Sequence, residues 1–99
     1  MNGKIKYTFT AIPWLHTPTG GWCFVSLPDD LSLEIRNLLK AQEEGWGRLK
    51  ATAQIGSTTW ATAIWFDTKK NTYLLPLKAT IRKKEGVTVG EMVEVGVWM

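Results

Sequence analysis

Proline and glycine divide this chain into short pieces, and that punctuation limits its possible folds more than any other feature. These breaks fall at Pro13, Pro18, Gly20, Gly21, Pro28, Gly45, Gly47, Gly56, Pro76, Gly86 and Gly90. Pieces of this length favour β-strands over long helices. With 99 residues, of which 44% are hydrophobic and 21% charged, the chain is predicted to form one globular domain over residues 1–99.

Alternation of apolar and polar side chains predicts most of the strands. Residues 4–12 alternate with a period of two, and residues 21–27 form a second β-rich run in which Cys23 lies on the apolar face. Residues 73–77 and 92–98 are predicted to be further strands. Pro76 indicates a strand end or an edge strand, because proline has no N–H to donate to a neighbouring strand.

Helical spacing replaces this alternation after Pro28. Apolar residues recur at Leu31, Ile35, Leu38 and Leu39, which predicts one α-helix at about 30–41. Asp30 and Ser32 are the candidate caps at its start. A shorter helix of one or two turns is predicted at about 78–84.

A two-residue turn at Gly56-Ser57 predicts a hairpin between residues 46–55 and 58–66. The turn sets the register, so that Ala53 faces Trp60 and Leu49 faces Ile64 on the core side. On the other side Arg48 faces Trp65, Lys50 faces Ala63 and Trp46 lies diagonally beside Trp65. The outward residues Trp46, Arg48, Lys50 and Trp65 therefore form a predicted aromatic and basic patch. The alternative is that the helix at about 30–41 or the N-terminal strand covers the two tryptophans.

Together these elements predict a mainly β fold, a small closed six- or seven-stranded double-split β-barrel with one definite helix. A weak internal echo supports two related halves. Leu27-Pro28 leads to Ile35-Arg36, and Leu75-Pro76 leads to Ile81-Arg82. A true duplication and a chance recurrence of common dipeptides both fit this pattern. Two strand–helix–strand halves would close into a pseudo-twofold barrel without exposed edges.

Three blocks carry a resemblance to a known family: GWCFVSLPDDLSLEIR, GWGRLKATAQIGSTTWATAIWF and YLLPLKATIRKKEGVTVGEMVEV. Their succession resembles the domain of unknown function family DUF1905. The resemblance implies a closed double-split β-barrel and leaves the activity open. More weakly, the last block is similar to the half-motif of AbrB-type regulators and MazE-type antitoxins, which bind DNA as strand-swapped dimers. Pro76 lies two residues further upstream of Ile81-Arg82 than that motif expects.

Catalytic and metal chemistry find little support in these residues. His16 is the only histidine and Cys23 the only cysteine, and Cys23 is predicted to face the core, where a thiol is a poor nucleophile. No Cys-x-x-Cys or His-x-x-x-His spacing predicts a metal site, and no glycine motif predicts a nucleotide cofactor. We therefore expect no enzyme activity, no metal and no cofactor.

Six tryptophans and a net charge of +3 are the features that point to a function. Trp60 is expected to fill the core, and Trp22 and Trp98 to pack against the helix or close a barrel end, while Trp14 is left open. The predicted function is a non-catalytic module for an anionic or aromatic ligand, bound at the outward patch or at a cleft beside Arg36 and Arg82. A nucleic-acid-binding regulator of the AbrB kind is the alternative, and an enzyme is the third.

The remaining expectations concern partners and compartment. A small-molecule or anionic ligand is expected, nucleic acid is a further candidate partner, and no membrane association is expected because no apolar run is long enough to span a bilayer. Monomer and homodimer both fit the alternation. A lone cysteine favours a reducing compartment, so the predicted location is the cytoplasm.

Overall fold

Seven strands form one antiparallel sheet that curls into a half-barrel, in the computed structural model, which describes residues 5–17 and 20–99 but not the side chain of Trp46. The strands are β1 (Lys6–Ala11), β2 (Trp14–His16), β3 (Trp22–Ser26), β4 (Arg48–Ile55), β5 (Thr58–Asp67), β6 (Thr72–Pro76) and β7 (Val93–Trp98). Helix α1 spans Asp29–Leu39, and α2 spans Ala79–Glu85. Short 3-10 turns occupy Lys40–Gln42 and Gly45–Gly47. The mainly β class and both predicted helices are confirmed.

The strand order is β1-β7-β4-β5-β6-β3-β2, which leaves β1 and β2 at the two ends of the sheet. These two strands are consecutive along the chain and are separated by Ile12 and Pro13 alone. The order confirms a seven-stranded half-barrel, and full closure stays a prediction. The sequence does not predict strand β2, because its three residues are too few to show an alternation.

The hairpin register predicted from Gly56-Ser57 is confirmed. Strands β4 and β5 pair with Ile55 opposite Thr58, Ala53 opposite Trp60 and Arg48 opposite Trp65. Gly56 has a φ of +58°, which a residue without Cβ adopts at little cost. The predicted first residues of this hairpin, 46 and 47, belong to the 3-10 turn instead of β4.

One face of the sheet forms the hydrophobic core. Its buried members alternate along each strand and include Tyr7, Phe9, Cys23, Val25, Leu49, Ile64, Tyr73, Leu75, Val95 and Val97. Helix α1 packs on this face through the fully buried Ile35. Burial of one such aliphatic side chain stabilises the fold by about 1.5 to 3 kcal/mol, so the core fixes which face of each strand is left for other contacts.

Of the two expected caps of α1, Ser32 is wrong, and Asp30 satisfies a backbone amide from within the first turn and not from the N-cap position. Pro28 occupies the N-cap position, where its fixed φ of −55° suits a helix start, and it provides no side-chain cap. The Asp30 carboxylate accepts a hydrogen bond from the first-turn amide of Leu31 at 2.8 Å. Ser32 lies fully buried one turn into α1. Its hydroxyl accepts a hydrogen bond from the backbone N–H of Tyr73 at 3.0 Å and donates to the carbonyl of Leu27 at 3.4 Å. Ser32 therefore joins α1 to the sheet.

Reciprocal backbone hydrogen bonds at the ends of β3 and β6 show which residues of the two related halves correspond. The amide of Leu27 donates to the carbonyl of Tyr73 at 2.9 Å, and the amide of Leu77 donates to that of Cys23 at 2.8 Å. Leu27 and Leu77 are thus equivalent, and a helix begins two residues after each. The alignment by Pro28 and Pro76 is therefore displaced by two residues.

In the described part of the chain, neither helix has the length and apolarity needed to cross a membrane.

Candidate ligand-binding cleft

The face of the β4–β5 hairpin that points away from the core carries small side chains at its centre. Thr52 lies opposite Ala61, and the next outward pair is Lys50 opposite Ala63. Each alternates with a core residue, so the sequence periodicity alone directs these side chains outward. Because alanine and threonine project little above the backbone, they leave a depression between the larger residues around them.

A cleft of about 970 Å³ occupies this depression. Arg48, Lys50 and Trp65 line it from the hairpin, while Trp22, Lys78 and Arg82 line it from β3 and from the start of α2. The volume falls within the range of small-molecule sites, about 300 to 1,000 Å³. Four of the predicted site residues, Arg48, Lys50, Trp65 and Arg82, are therefore brought together.

The cleft exists because β6 ends at Pro76 and leaves the part of β5 before Trp65 without a paired strand on that side. The paired residues of these strands are Trp65 with Leu74, Phe66 with Tyr73 and Asp67 with Thr72. After Pro76 the chain turns away into α2, so the part of β5 before Trp65 faces a helix start instead of a paired strand. This confirms that Pro76 ends a strand, and it explains how Arg82 comes to line the same cleft as the hairpin.

Cationic side chains dominate the cleft. Among the described residues that line it, Arg48, Lys50, Lys78 and Arg82 are basic and none is acidic. Glu44, in the segment before β4, forms an ion pair with Arg48 and lies 3.9 Å from the Lys50 ammonium. The Lys78 and Arg82 side of the cleft is therefore the more positive side and the better position for an anion.

Arg82 is held in place by the backbone. Its Nε donates a hydrogen bond to the carbonyl of Leu77 at 3.2 Å, which fixes the guanidinium over the end of β6. This bond uses one of the five N–H donors of a guanidinium. Burial raises the pKa of the neighbouring Cys23 thiol, and the positive charge of Arg82 partly opposes that increase.

Two tryptophans flank the cleft with accessible rings. Trp22 is 59% exposed and Trp65 is 38% exposed, and the guanidinium carbon of Arg48 lies 5.6 Å from the Trp65 ring centroid. The predicted contact between Arg48 and an outward Trp65 is confirmed. The expectation that Trp22 is buried is wrong: it alternates with Cys23, so its ring points away from the core and rests beside Phe24 at 6.1 Å. The alternation was the signal that could have identified it.

Arg36 lies apart from this cleft, so the predicted pairing of Arg36 with Arg82 in one site is wrong. Its guanidinium carbon lies 3.7 Å from the centroid of the Phe66 ring, and its Nη2 lies 3.8 Å from a carboxylate oxygen of Glu43. The Tyr73 hydroxyl donates to the same carboxylate. These contacts anchor the segment after α1 to the core. Arg36 and Arg82 do not occupy equivalent positions in α1 and α2. The two helices align through Leu27 and Leu77, and not through Pro28 and Pro76.

The remaining tryptophans are divided between the two faces. Trp60 packs against the core, as predicted, while Trp14 and Trp98 are half-buried on the outer face. The backbone of Trp46 lies in the 3-10 turn Gly45–Gly47, but its side chain is outside the described residues. Its predicted place in the patch therefore stays a prediction.

His16 and Cys23 do not face each other. Strands β2 and β3 pair His16 with Trp22 and Leu15 with Cys23, so the imidazole and the thiol leave adjacent strands on opposite faces. Cys23 is 2% exposed, and its raised pKa keeps the thiol protonated. This arrangement does not activate Cys23 as a nucleophile.

Comparison with known families agrees with the blocks noted in the sequence. The model of the family "Domain of unknown function (DUF1905)" matches residues 9–97, which include every strand of the cleft. The chain belongs to this family. No curated protein matches the chain.

Proposed function

We propose that this chain is a non-catalytic binding module whose cleft holds a small anionic aromatic ligand. The observation that carries the proposal is the meeting of Trp22, Trp65 and Arg82 around a floor of alanine and threonine. An aromatic ring can stack on an exposed indole while an anionic group accepts hydrogen bonds from the guanidinium. Charge-assisted hydrogen bonds of this kind contribute about 1.5 to 3 kcal/mol.

Naphthoate is a suitable first probe because it combines a flat aromatic ring with one carboxylate. Calorimetric titration should show that naphthoate binds more tightly than naphthylmethanol, which lacks the charge, and more tightly than cyclohexanecarboxylate, which lacks the ring. Arg82→Gln should weaken naphthoate binding by about tenfold to a hundredfold, the equivalent of the energy above. Trp22→Ala should weaken the binding of both naphthoate and naphthylmethanol, because both stack on the indole.

Lys84→Gln is the matched control for Arg82→Gln. It removes the same charge from the same helix, but Lys84 is an exposed residue that does not line the cleft. The proposal is wrong if the two variants bind naphthoate equally well, because binding would then follow net charge and not the cleft.

The closed form of the double-split barrel is also part of the proposal. Support comes from the chain continuity at Ile12-Pro13, since β1 pairs with β7 while β2 pairs with β3. One bent strand from Lys6 to His16 would then join the two ends of the sheet and protect both edges. Hydrogen exchange tests this arrangement: slow exchange at β2 amides, similar to that of central strands, is the expected result, and rapid exchange would exclude closure.

A nucleic-acid-binding regulator of the AbrB kind is the second candidate function, supported by the four cations of the cleft. A regulator of that kind should bind a DNA duplex, with an affinity that falls steeply as salt is added, because binding releases condensed counterions. Duplex binding that is weak and independent of salt would exclude the regulator.

We further propose a cytoplasmic location, in which the thiol of Cys23 stays reduced.

A further inference from the structure

The outer face of the sheet repeats one arrangement in three places: a tryptophan with a cation above its ring. Lys6 Nζ lies 4.7 Å from the ring centroid of Trp98, and Lys70 Nζ lies 4.6 Å from that of Trp14. The third instance is the Arg48 and Trp65 pair at the cleft. Energetically significant cation–π pairs occur about once per 70 to 80 residues, so three contacts with this geometry on one face of a small domain are unusual.

Strand register places all three pairs on the side opposite the core. Trp98 follows the buried Val97, and Trp65 follows the buried Ile64. Trp14 lies opposite Phe24, which stands between the core residues Cys23 and Val25. The three indoles therefore share the outer face with the cleft.

The spacing of these pairs suits separate aromatic groups and not one small molecule. Neighbouring strands lie about 4.8 Å apart, so Trp65 on β5 and Trp14 on β2 are separated by about 14 Å across the sheet. Trp22 on β3 lies between them and carries the most exposed of the described indoles. The face thus offers a series of rings on both sides of the cleft.

Charge on this face is mainly positive. Lys6, Arg48, Lys50, Lys70, Lys78 and Arg82 surround the rings. Glu44, Asp67 and Glu94 are carboxylates on the same side, but Glu44 is engaged by Arg48, and Asp67 accepts a hydrogen bond from the amide of Lys69. A ligand that repeats an anion and a planar ring complements such a surface.

We infer that the outer face binds single-stranded nucleic acid, with one nucleotide in the cleft, where its base contacts Trp22 or Trp65, and neighbouring bases on the rings of Trp14 and Trp98. This inference rests on the proposed function, since the cleft supplies the central position. A single strand repeats a phosphate and an aromatic base, and bases stack on aromatic side chains with little regard to sequence. Lys6 and Lys70 swing from their rings to phosphates when bases arrive.

The test compares a polymer with its monomer. Fluorescence anisotropy with labelled octathymidylate and octauridylate gives the affinity for single strands, and calorimetry with thymidine monophosphate gives the affinity of the cleft. We expect the octamers to bind at least tenfold more tightly than the monomer. Their affinity should fall with added salt, because phosphate contacts release counterions.

Variants outside the cleft separate this inference from the proposed function. Lys6→Gln and Lys70→Gln should each weaken octamer binding severalfold and lower the salt slope by about 0.7. Both should leave the binding of thymidine monophosphate unchanged, and Lys84→Gln should change neither ligand. These two lysines lie on the surface, so their loss is not expected to prevent folding.

Two results would overturn the inference while the cleft survives. One is an octamer affinity no greater than that of the monomer, and the other is equal octamer binding by the Lys6, Lys70 and Lys84 variants. If naphthoate and the monomer both fail to bind, the proposed function itself is wrong. Tight binding of a DNA duplex, at least equal to that of the octamers, would favour the regulator instead.

Discussion

Replacement of Ser32 by alanine isolates one buried hydrogen bond that connects α1 to the sheet. The variant removes the acceptor for the Tyr73 amide, which lies 3.0 Å from the Ser32 hydroxyl, at a residue that is fully buried. A buried donor left without a partner costs about 1 to 3 kcal/mol. The second bond, to Leu27 at 3.4 Å, is long and contributes less. We therefore expect Ser32→Ala to lower the free energy of unfolding by about 2 kcal/mol.

Urea denaturation measures this loss directly. With a slope of about 2 kcal/mol per molar urea for a small domain, the midpoint should fall by about 1 M. Amide hydrogen exchange at Tyr73 should become faster, since this N–H loses its acceptor. Ser57→Ala, in the exposed turn of the hairpin, is the control and should stay within about 0.5 kcal/mol of the parent protein. If Ser32→Ala also stays within about 0.5 kcal/mol of the parent protein, and hydrogen exchange at the Tyr73 amide is unaltered, the reasoning is refuted.

Three further predictions concern the hairpin and the core. In denaturant unfolding, Trp60→Ala should lose about 3 to 5 kcal/mol because Trp60 packs on the core, and Trp65→Ala should lose less, since its ring is outward; the opposite order would contradict the register. Gly56→Ala should cost at least about 1 to 2 kcal/mol, because Gly56 has a positive φ and its added Cβ would contact Glu85; an unchanged melting temperature would exclude this. Burial, then the hydrogen bond to a carboxylate, raises the pKa of Tyr73 above its ordinary 10.0, so its contribution to stability is complete below that pH and is lost as the pH rises beyond it. Tyr73→Phe should show a smaller loss of stability between about pH 8 and pH 11 in urea titrations.

The parts of the fold that depend on local chemistry could be predicted from the sequence. A two-residue turn beginning with Gly56 allows one register, and that register determined that Arg48 meets Trp65 on the outer face. The helix at residues 29–39 followed from its apolar spacing in the same way. The hairpin side of the candidate cleft could therefore be predicted from the sequence.

The other side of the cleft depends on contacts between segments far apart in sequence. Lys78 and Arg82 line the same cleft as the hairpin because β6 ends at Pro76, and no local pattern states which strand lies beside β5. The capping prediction failed at Ser32 because a serine near a helix start and a buried serine that binds another strand look alike in sequence. The repeat was misaligned because Pro28 and Pro76 do not occupy equivalent positions.

The pairing of β1 with β7 has a consequence for how the protein is made. Lys6 lies opposite Trp98, so β1 has no partner strand until the ribosome has added the residues up to Trp98. A ribosome adds about 5 to 20 residues each second, which leaves β1 unpaired for several seconds during synthesis. Its alternating Lys6, Thr8 and Thr10 keep one edge face polar over that interval and oppose aggregation of nascent chains. The pairing of β1 with β7 is accordingly a late step in the formation of this sheet, and contacts this distant in sequence make it slow compared with helix formation.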